Sequence, residues 1–328
     1  MPVNRPCILH YGIAKPLIDQ GVAAHFDVAR IPDNTDVSAL GESESATIRA
    51  IAAGGGHDPI DSRLFDRLPH LEIVASFGVG YDHIDAAEAA RRGIVVTHTP
   101  DVLTDDVADI ALTLLLSAVR QSPAAERFLR AGKWLEQAFP LSSSLRERSV
   151  GIVGLGRIGK AIARRLEGFA VPVSYCGRTR QTDVNLTYYA SLPEMAAAVD
   201  TLILAAPGGA GTRHLVNADV LEALGPRGIV VNVGRGSVID EKALVAALSA
   251  GRIAAVGLDV YEHEPEVPAE LIASDSAVLL PHVGSASHHT RDAMARLVVD
   301  NLVSWFAGKG PLTPTPETPF AVSRFPHS

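Results

Sequence analysis

Residues 150–166 read VGIVGLGRIGKAIARRL. An apolar, β-branched run leads directly into Gly154, Gly156 and Gly159, and a helical pattern opens directly behind them. GxGxxG spacing alone is a weak signal in a glycine-rich chain. A strand before it and a helix after it are the context that gives it meaning. The first glycine makes the tight turn, the second lets the backbone approach a pyrophosphate, and the third packs helix against strand. The N–H groups of Arg157 and Ile158 then stand at a helix N-terminus, where unpaired donors and the helix dipole favour an anion. The stretch predicts a dinucleotide-binding βα unit.

The next strand ends in VSYCGRTR, residues 173–180. About 20 residues past the glycine loop an Asp or Glu would bind the ribose hydroxyls of NAD. Gly177 lies 18 residues after Gly159, followed by Arg178, Thr179 and Arg180. A carboxylate here repels a 2′-phosphate, whereas arginines form charge-assisted, sometimes bidentate bonds with it. The expected cofactor is therefore NADPH/NADP+, with NADH weaker.

Outward from this loop, strands alternate with helices on both sides. CILHYG, IRAIAAGG, LEIVASFG and IVVTHTP read as strands before residue 101, with LIDQGVAAHF and DHIDAAEAARRG as helices. From residue 149 a second series follows: SVGIVG, VPVSYCG, DTLILAAP, GIVVNVG, IAAVGLDV and AVLLPHVG. The alternation predicts an α/β protein with two doubly wound parallel sheets. Residues 104–120, TDDVADIALTLLLSAVR, read as a helix with Asp105 and Asp106 in its first turn and Arg120 in its last. Its apolar residues circle the axis, which predicts burial on every side, by both domains or by a second subunit. HHTRDAMARLVVDNLVSWFAG is a closing amphipathic helix. The tail after 310 holds five prolines, so an extended or mobile end is expected.

Composition narrows the function. The chain has 328 residues, 47% hydrophobic and 20% charged, enough for two compact cores. A net charge of −8 argues against a nucleic-acid partner. Cys7 and Cys176, the only cysteines, build neither a disulfide framework nor a metal site. MPVNRPCILHYG has no signal-peptide pattern, and the longest apolar run, residues 110–119, is too short to span a bilayer. A cytoplasmic protein without a membrane partner is expected.

Three further stretches carry candidate chemistry. VVNVGRGSVID puts Arg235 just past a strand, GLDVYEHEP puts Asp259 at a strand end with Glu264 after it, and LLPHVGSAS puts His282 at a third strand end. In open α/β sheets, ligands bind outside the carboxyl ends of the strands. An arginine can orient a carboxylate-bearing carbonyl, a histidine can protonate its oxygen, and an acid can hold that histidine protonated and aimed. Each residue alone has an ordinary structural explanation; Glu262, Glu264 and Glu266 could be a solvated acidic loop. Together, on a dinucleotide fold, they favour chemistry.

In SFGVGYDHID, TPDVLTDDVADIAL, the glycine loop, VNVGRGSVID, GLDVYEHEP and LPHVGSAS, in this order, residues 45–310 resemble the D-isomer-specific 2-hydroxyacid dehydrogenases. Within them the chain is most similar to the glyoxylate/hydroxypyruvate reductase branch. The resemblance implies a Rossmann cofactor domain, 101–286, inserted into a flavodoxin-like substrate domain, 1–100 with 287–328. It implies Arg235, Glu264 and His282 as catalytic residues. It gives the backbone of Val79 and Gly80, with Gly55 or Gly56, the substrate carboxylate, and lets Ser285 touch substrate. Thr104, Pro207, Thr212, Val233 and Asp259 match cofactor contacts. The implied reaction is reduction of a small anionic 2-ketoacid to the D-2-hydroxyacid. A homodimer through the cofactor domain is implied too, with Trp134 and Phe139 reaching towards the partner. Two rivals share the fold: a non-catalytic dinucleotide-sensing protein like the C-terminal-binding-protein corepressors, which prefer NAD, and formate or phosphite oxidation. Formate oxidation in the family uses a glutamine where Glu264 stands. Larger substrates, 2-ketogluconate or hydroxyphenylpyruvate, remain open alternatives.

Overall fold

The computed structural model describes residues 5–31, 37–56 and 58–318. The chain falls into two compact units, one from the residues up to Leu103 with those from Ser287 on, the other Thr104–Ala286.

The first unit holds a parallel sheet of β1 (Cys7–Tyr11), β2 (Asp27–Arg30), β3 (Ile48–Ala53), β4 (Ile73–Ser76) and β5 (Val95–Thr97), in the order β2-β1-β3-β4-β5. Its inner strands read as continuous apolar runs because both faces are covered. Ile8, Leu9, Ile51, Ala52, Ile73 and Val74 are fully buried. Helix His288–Phe306 packs on β3, β4 and helix Pro16–His25.

The second unit holds seven parallel strands: β6 (Val150–Val153), β7 (Val173–Cys176), β8 (Thr187–Tyr189), β9 (Thr201–Leu204), β10 (Ile229–Asn232), β11 (Ala255–Leu258) and β12 (Ala277–Leu279). Their order is β12-β11-β10-β9-β6-β7-β8. From β6 the chain winds outward through β7 and β8, then returns to β9 on the other side and winds through to β12. The order reverses beside β6, which opens a crevice at its carboxyl end, the expected place for a ligand. Sequence reading missed β2 and β8. Both are short edge strands, and neither carries the apolar run of a central strand.

One expectation needs correction. Helix Thr104–Arg120 is not apolar all round. Asp105, Asp109, Thr113 and Arg120 are exposed, and the first three fall four residues apart on one face. Arg165 holds that strip, with its Nε 2.6 Å from Asp109 and Nη2 3.0 Å from Asp105, and Arg164 adds a third ion pair at 3.2 Å. The opposite face, including Leu114 and Leu115, packs on β10, β11 and β12. The unit's own sheet therefore covers that face. Through Thr318 the tail lies along β5, with Thr315 N donating to Val96 O at 2.8 Å and Thr315 almost fully buried; the rest of the tail lies outside the described residues.

Candidate active site

The glycine loop after β6 has the shape an anion needs. Gly154 sits at φ +91°, and a Cβ there would lie 2.9 Å from the backbone of Ala206. A Cβ on Gly159 would lie 2.2 Å from Gly154 O, so the helix can approach the loop only through glycine. Around Gly156 a Cβ would meet nothing within 4 Å, and this open side is where a phosphate would approach. Helix Arg157–Glu167 begins here; its first bond runs from Lys160 N to Gly156 O, 2.9 Å. The N–H groups of Arg157 and Ile158 precede that bond and have no acceptor within the helix.

Gly177–Arg180 follow β7. Gly177 is half-buried, and Arg178, Thr179 and Arg180 are exposed. Among the described residues, neither Arg178 nor Arg180 is bound to a carboxylate. The loop carrying them is fixed. Gln181 N donates to Tyr175 Oη at 2.7 Å, and Gln181 Nε2 donates to Leu155 O, also at 2.7 Å. Tyr188 Oη donates to Gly177 O at 3.2 Å. Gln181 thus ties the arginine loop to the glycine loop. The sequence reading missed Gln181 and Tyr188, whose roles depend on contacts across the fold and leave no local motif.

Arg235, Asp259, Glu264 and His282 stand at or just past the carboxyl ends of β10, β11 and β12, which are neighbours in the sheet. Parallel register brings their loops to one edge. Asn232, fully buried at the end of β10, shapes the first: its Nδ2 donates to Arg235 O at 2.9 Å and its Oδ1 accepts from Gly234 N at 3.0 Å. Gly236 abuts Tyr261, where a Cβ would fall 1.9 Å from the carbonyl. His282 adopts φ +52°, unusual for a non-glycine residue. Asp259 holds that turn: its two oxygens accept from Val283 N and Gly284 N, each at 2.7 Å, and its main-chain O accepts from His282 N at 2.9 Å. Burial pushes the Asp259 carboxyl up from its ordinary value, and the two N–H bonds pull it partly back.

His282 Nδ1 donates to Glu264 Oε2 at 2.7 Å. The Glu264 side chain is 14% exposed and that of His282 40%, so the histidine is reachable while its partner is sheltered. Glu264 Oε1 accepts from Tyr261 N at 3.0 Å, and Tyr261 Oη donates to Leu280 O at 3.0 Å. Tyr261, absent from the sequence reading, thereby braces both ends of the pair. Burial raises its phenol, and Asp259 and Glu264 raise it further. Glu262 is not a solvated acid: His214 Nε2 and Arg213 Nη2 bind its Oε1 at 2.7 and 3.0 Å.

The remaining positions are scattered by role. Thr212 Oγ1 donates to Pro207 O at 2.7 Å and shapes the loop after β9. Val233 is buried, Thr104 opens its helix, and Ser285 follows the His282 turn, half-buried. In the first unit, Gly55 at φ +84° follows β3, and half-buried Val79 and Gly80 follow β4. Among the described residues no cluster of three or more His, Cys, Asp or Glu could hold a metal ion. No described helix is long and apolar enough to cross a membrane.

Residues 112–284 match the family description "D-isomer specific 2-hydroxyacid dehydrogenase, NAD binding domain". A glyoxylate/hydroxypyruvate reductase of Arabidopsis thaliana is 44% identical over 297 residues, 90% of this chain and 95% of its own length. The chain belongs to the D-isomer specific 2-hydroxyacid dehydrogenases. A hydroxyphenylpyruvate reductase of Plectranthus scutellarioides, from the same comparison, is 46% identical over 86% of this chain and 89% of its own. Among solved structures, an NADPH-dependent glyoxylate/hydroxypyruvate reductase of Sinorhizobium meliloti, in complex with NADP and malonate, matches with a TM-score of 0.92 and 52% identity, covering 96% of this chain and 98% of its own. As a 2-hydroxyacid dehydrogenase, the chain carries both expected α/β sheets.

Proposed function

We propose that this 2-hydroxyacid dehydrogenase reduces a small 2-ketoacid, glyoxylate or hydroxypyruvate, to the D-2-hydroxyacid with NADPH. The His282–Glu264 pair at 2.7 Å is the observation that carries the reading. It stands on the same sheet edge as Arg235, in a unit whose glycine loop and arginine loop suit a phosphorylated dinucleotide. The Arabidopsis and Sinorhizobium relatives, named for these substrates, support it.

Gly154, Gly156 and Gly159, with the N–H groups of Arg157 and Ile158, would hold the pyrophosphate. Gly177 leaves room, and Arg178, Thr179 and Arg180 would bind the 2′-phosphate. Thr104, Pro207, Thr212, Val233 and Asp259 would line the rest of the cofactor site, Asp259 mainly by fixing the His282 turn. When bound, the nicotinamide supplies the hydride that the carbonyl carbon accepts. Arg235 orients the ketoacid through its carboxylate and polarises the carbonyl. With Nδ1 engaged by Glu264, His282 delivers a proton to the carbonyl oxygen from Nε2, and takes it back in the reverse direction. The backbone N–H groups of Val79 and Gly80, with Gly55, take the carboxylate, and Ser285 contacts substrate. On this reading residues 1–100 with 287–328 form the substrate domain and 101–286 the cofactor domain.

The protein would act in the cytoplasm as a homodimer. Leu129, Trp134, Leu135 and Leu141 are exposed, at 55%, 68%, 94% and 101%, along one segment behind the long helix. So many large apolar side chains exposed in one run suit an interaction surface. Phe139 is braced by Phe128, ring centroids 5.4 Å apart. Neither nucleic acid nor membrane is a partner on this reading.

A larger 2-ketoacid is the second reading. Gly54, Gly55 and Gly56 put no side chain over the β3 loop, and the Plectranthus relative is named for hydroxyphenylpyruvate. Initial rates with glyoxylate, hydroxypyruvate, hydroxyphenylpyruvate and 2-ketogluconate, each with NADPH and NADH, separate the two. The proposal expects the smallest acids with NADPH to have the highest kcat/KM. No turnover of any 2-ketoacid would leave the dinucleotide-sensing alternative.

A further inference from the structure

The C-terminal strap, residues 311–318, is built into the frame of the β4 loop. Asn301, fully buried in the last helix, starts it: Oδ1 accepts from Leu312 N at 2.9 Å and Thr313 N at 3.1 Å, and Nδ2 donates to Thr313 Oγ1 at 3.0 Å. Thr313 then binds His98 twice. Its Oγ1 donates to His98 O at 2.6 Å, and its main-chain O accepts from His98 N at 3.2 Å. Thr318 Oγ1 closes the strap on Val96, accepting from its N at 3.0 Å and donating to its O at 3.1 Å.

His98, held this way, and its neighbour Thr99 aim the loop at 78–80. Thr99 N donates to Gly78 O at 2.8 Å, and His98 Nδ1 donates to Val79 O at 2.9 Å. A peptide is planar and trans, so its C=O and the following N–H point opposite ways. Fixing Gly78 O therefore aims Val79 N–H, and fixing Val79 O aims Gly80 N–H. The far end of the loop is tied to the strap directly. Tyr81 Oη donates to Glu317 at 3.0 Å, and its ring meets His98 edge-on with centroids 5.4 Å apart.

We propose that the strap is a positioning element for the substrate carboxylate, with Glu317, acting through Tyr81, as a positioning residue. The inference rests on the assignment of Val79 and Gly80 as carboxylate donors. It gives the proline-rich tail a role in the reaction although it touches no reacting atom.

Two readouts on the full chain test it, using Glu317→Ala, Tyr81→Phe and the conservative Glu317→Gln. Losing one partly exposed hydrogen bond should raise the KM for glyoxylate about 3–10-fold, leave kcat within about twofold and leave the KM for NADPH unchanged. Glu317→Gln keeps an acceptor and should recover most of the loss. Amide hydrogen exchange across residues 76–82 should speed up in the first two variants while Tm stays within about 2 °C of wild type. Unchanged exchange overturns the proposal whatever the kinetics, as does a glyoxylate KM equal to wild type in both variants. If the wild type reduces no 2-ketoacid, the functional assignment fails, and the exchange measurement still decides whether the strap orders the loop.

Discussion

Removing one arginine from the loop after β7 should change the choice of cofactor and little else. Arg178 and Arg180 are exposed and, among the described residues, bound to no carboxylate, so Arg178→Ala breaks no ion pair with one and Tm should hold. A hydrogen bond to a charged group contributes about 1.5–3 kcal/mol. In an exposed loop water and salt screen it, so the lower end applies. About 1.5 kcal/mol is roughly tenfold in affinity. Arg178→Ala should therefore raise the KM for NADPH roughly tenfold and leave that for NADH almost unchanged. The double variant with Arg180→Ala should lose more. Gly177→Asp goes further. A Cβ at 177 meets nothing within 4 Å, so the Asp side chain starts out into open space. It should bind ribose hydroxyls, repel the 2′-phosphate and turn the preference towards NADH. The assay is kcat/KM for each cofactor at saturating glyoxylate, at low and high salt; NADPH binding should weaken more with salt. Equal losses for both cofactors in Arg178→Ala, or a wild-type preference for NADH, would refute the reasoning.

His282→Ala should cut turnover by about 10²–10⁴-fold while NADPH still binds; a variant keeping most of its rate removes the proton-transfer role. Burial first, then the Glu317 carboxylate, push the Tyr81 phenol up to about 12. Because the folded value is raised, its stabilising contribution is full below the ordinary value of about 10 and is lost as pH rises through about 12. A near-ultraviolet alkaline titration should show Tyr81, identified by difference from Tyr81→Phe, titrating lower in Glu317→Ala, and an unmoved titration would contradict the link. Light scattering should give a particle of about twice the 34.6 kDa chain mass, and replacing Trp134 and Leu135 by Asp should shift it towards the monomer; a wild-type monomer at micromolar concentration would end the dimer proposal.

Much of this architecture is legible because parallel strands buried on both faces must be largely apolar, as in Val150–Val153 and Ala255–Leu258. Their alternation with helices fixes the sheet type, and the glycine loop marks where the order reverses. Arg235, Glu264 and His282 are legible as residues just past strand ends, since that edge is where such sheets bind ligands. What escapes is whatever depends on contact across the fold. Asn232 looks like one more strand residue, yet its buried amide shapes the turn that carries Arg235. Gln181 has no motif, yet it ties the arginine loop to the glycine loop. Helix 104–120 misleads because a count of apolar residues ignores phase: Asp105, Asp109 and Thr113 line up on a single face. The tail shows the same limit in another way. Proline density argues against helix and sheet, but here threonine hydroxyls and a buried asparagine replace the missing ladder.

The central claim is that this chain moves a hydride from NADPH onto a 2-ketoacid to make the D-hydroxyacid. It is tested most directly by incubating the protein with hydroxypyruvate and NADPH and resolving the glycerate by chirality against NADPH consumed. The account predicts D-glycerate, one for each NADPH oxidised. L-glycerate, or no NADPH oxidation with either hydroxypyruvate or glyoxylate, would contradict it.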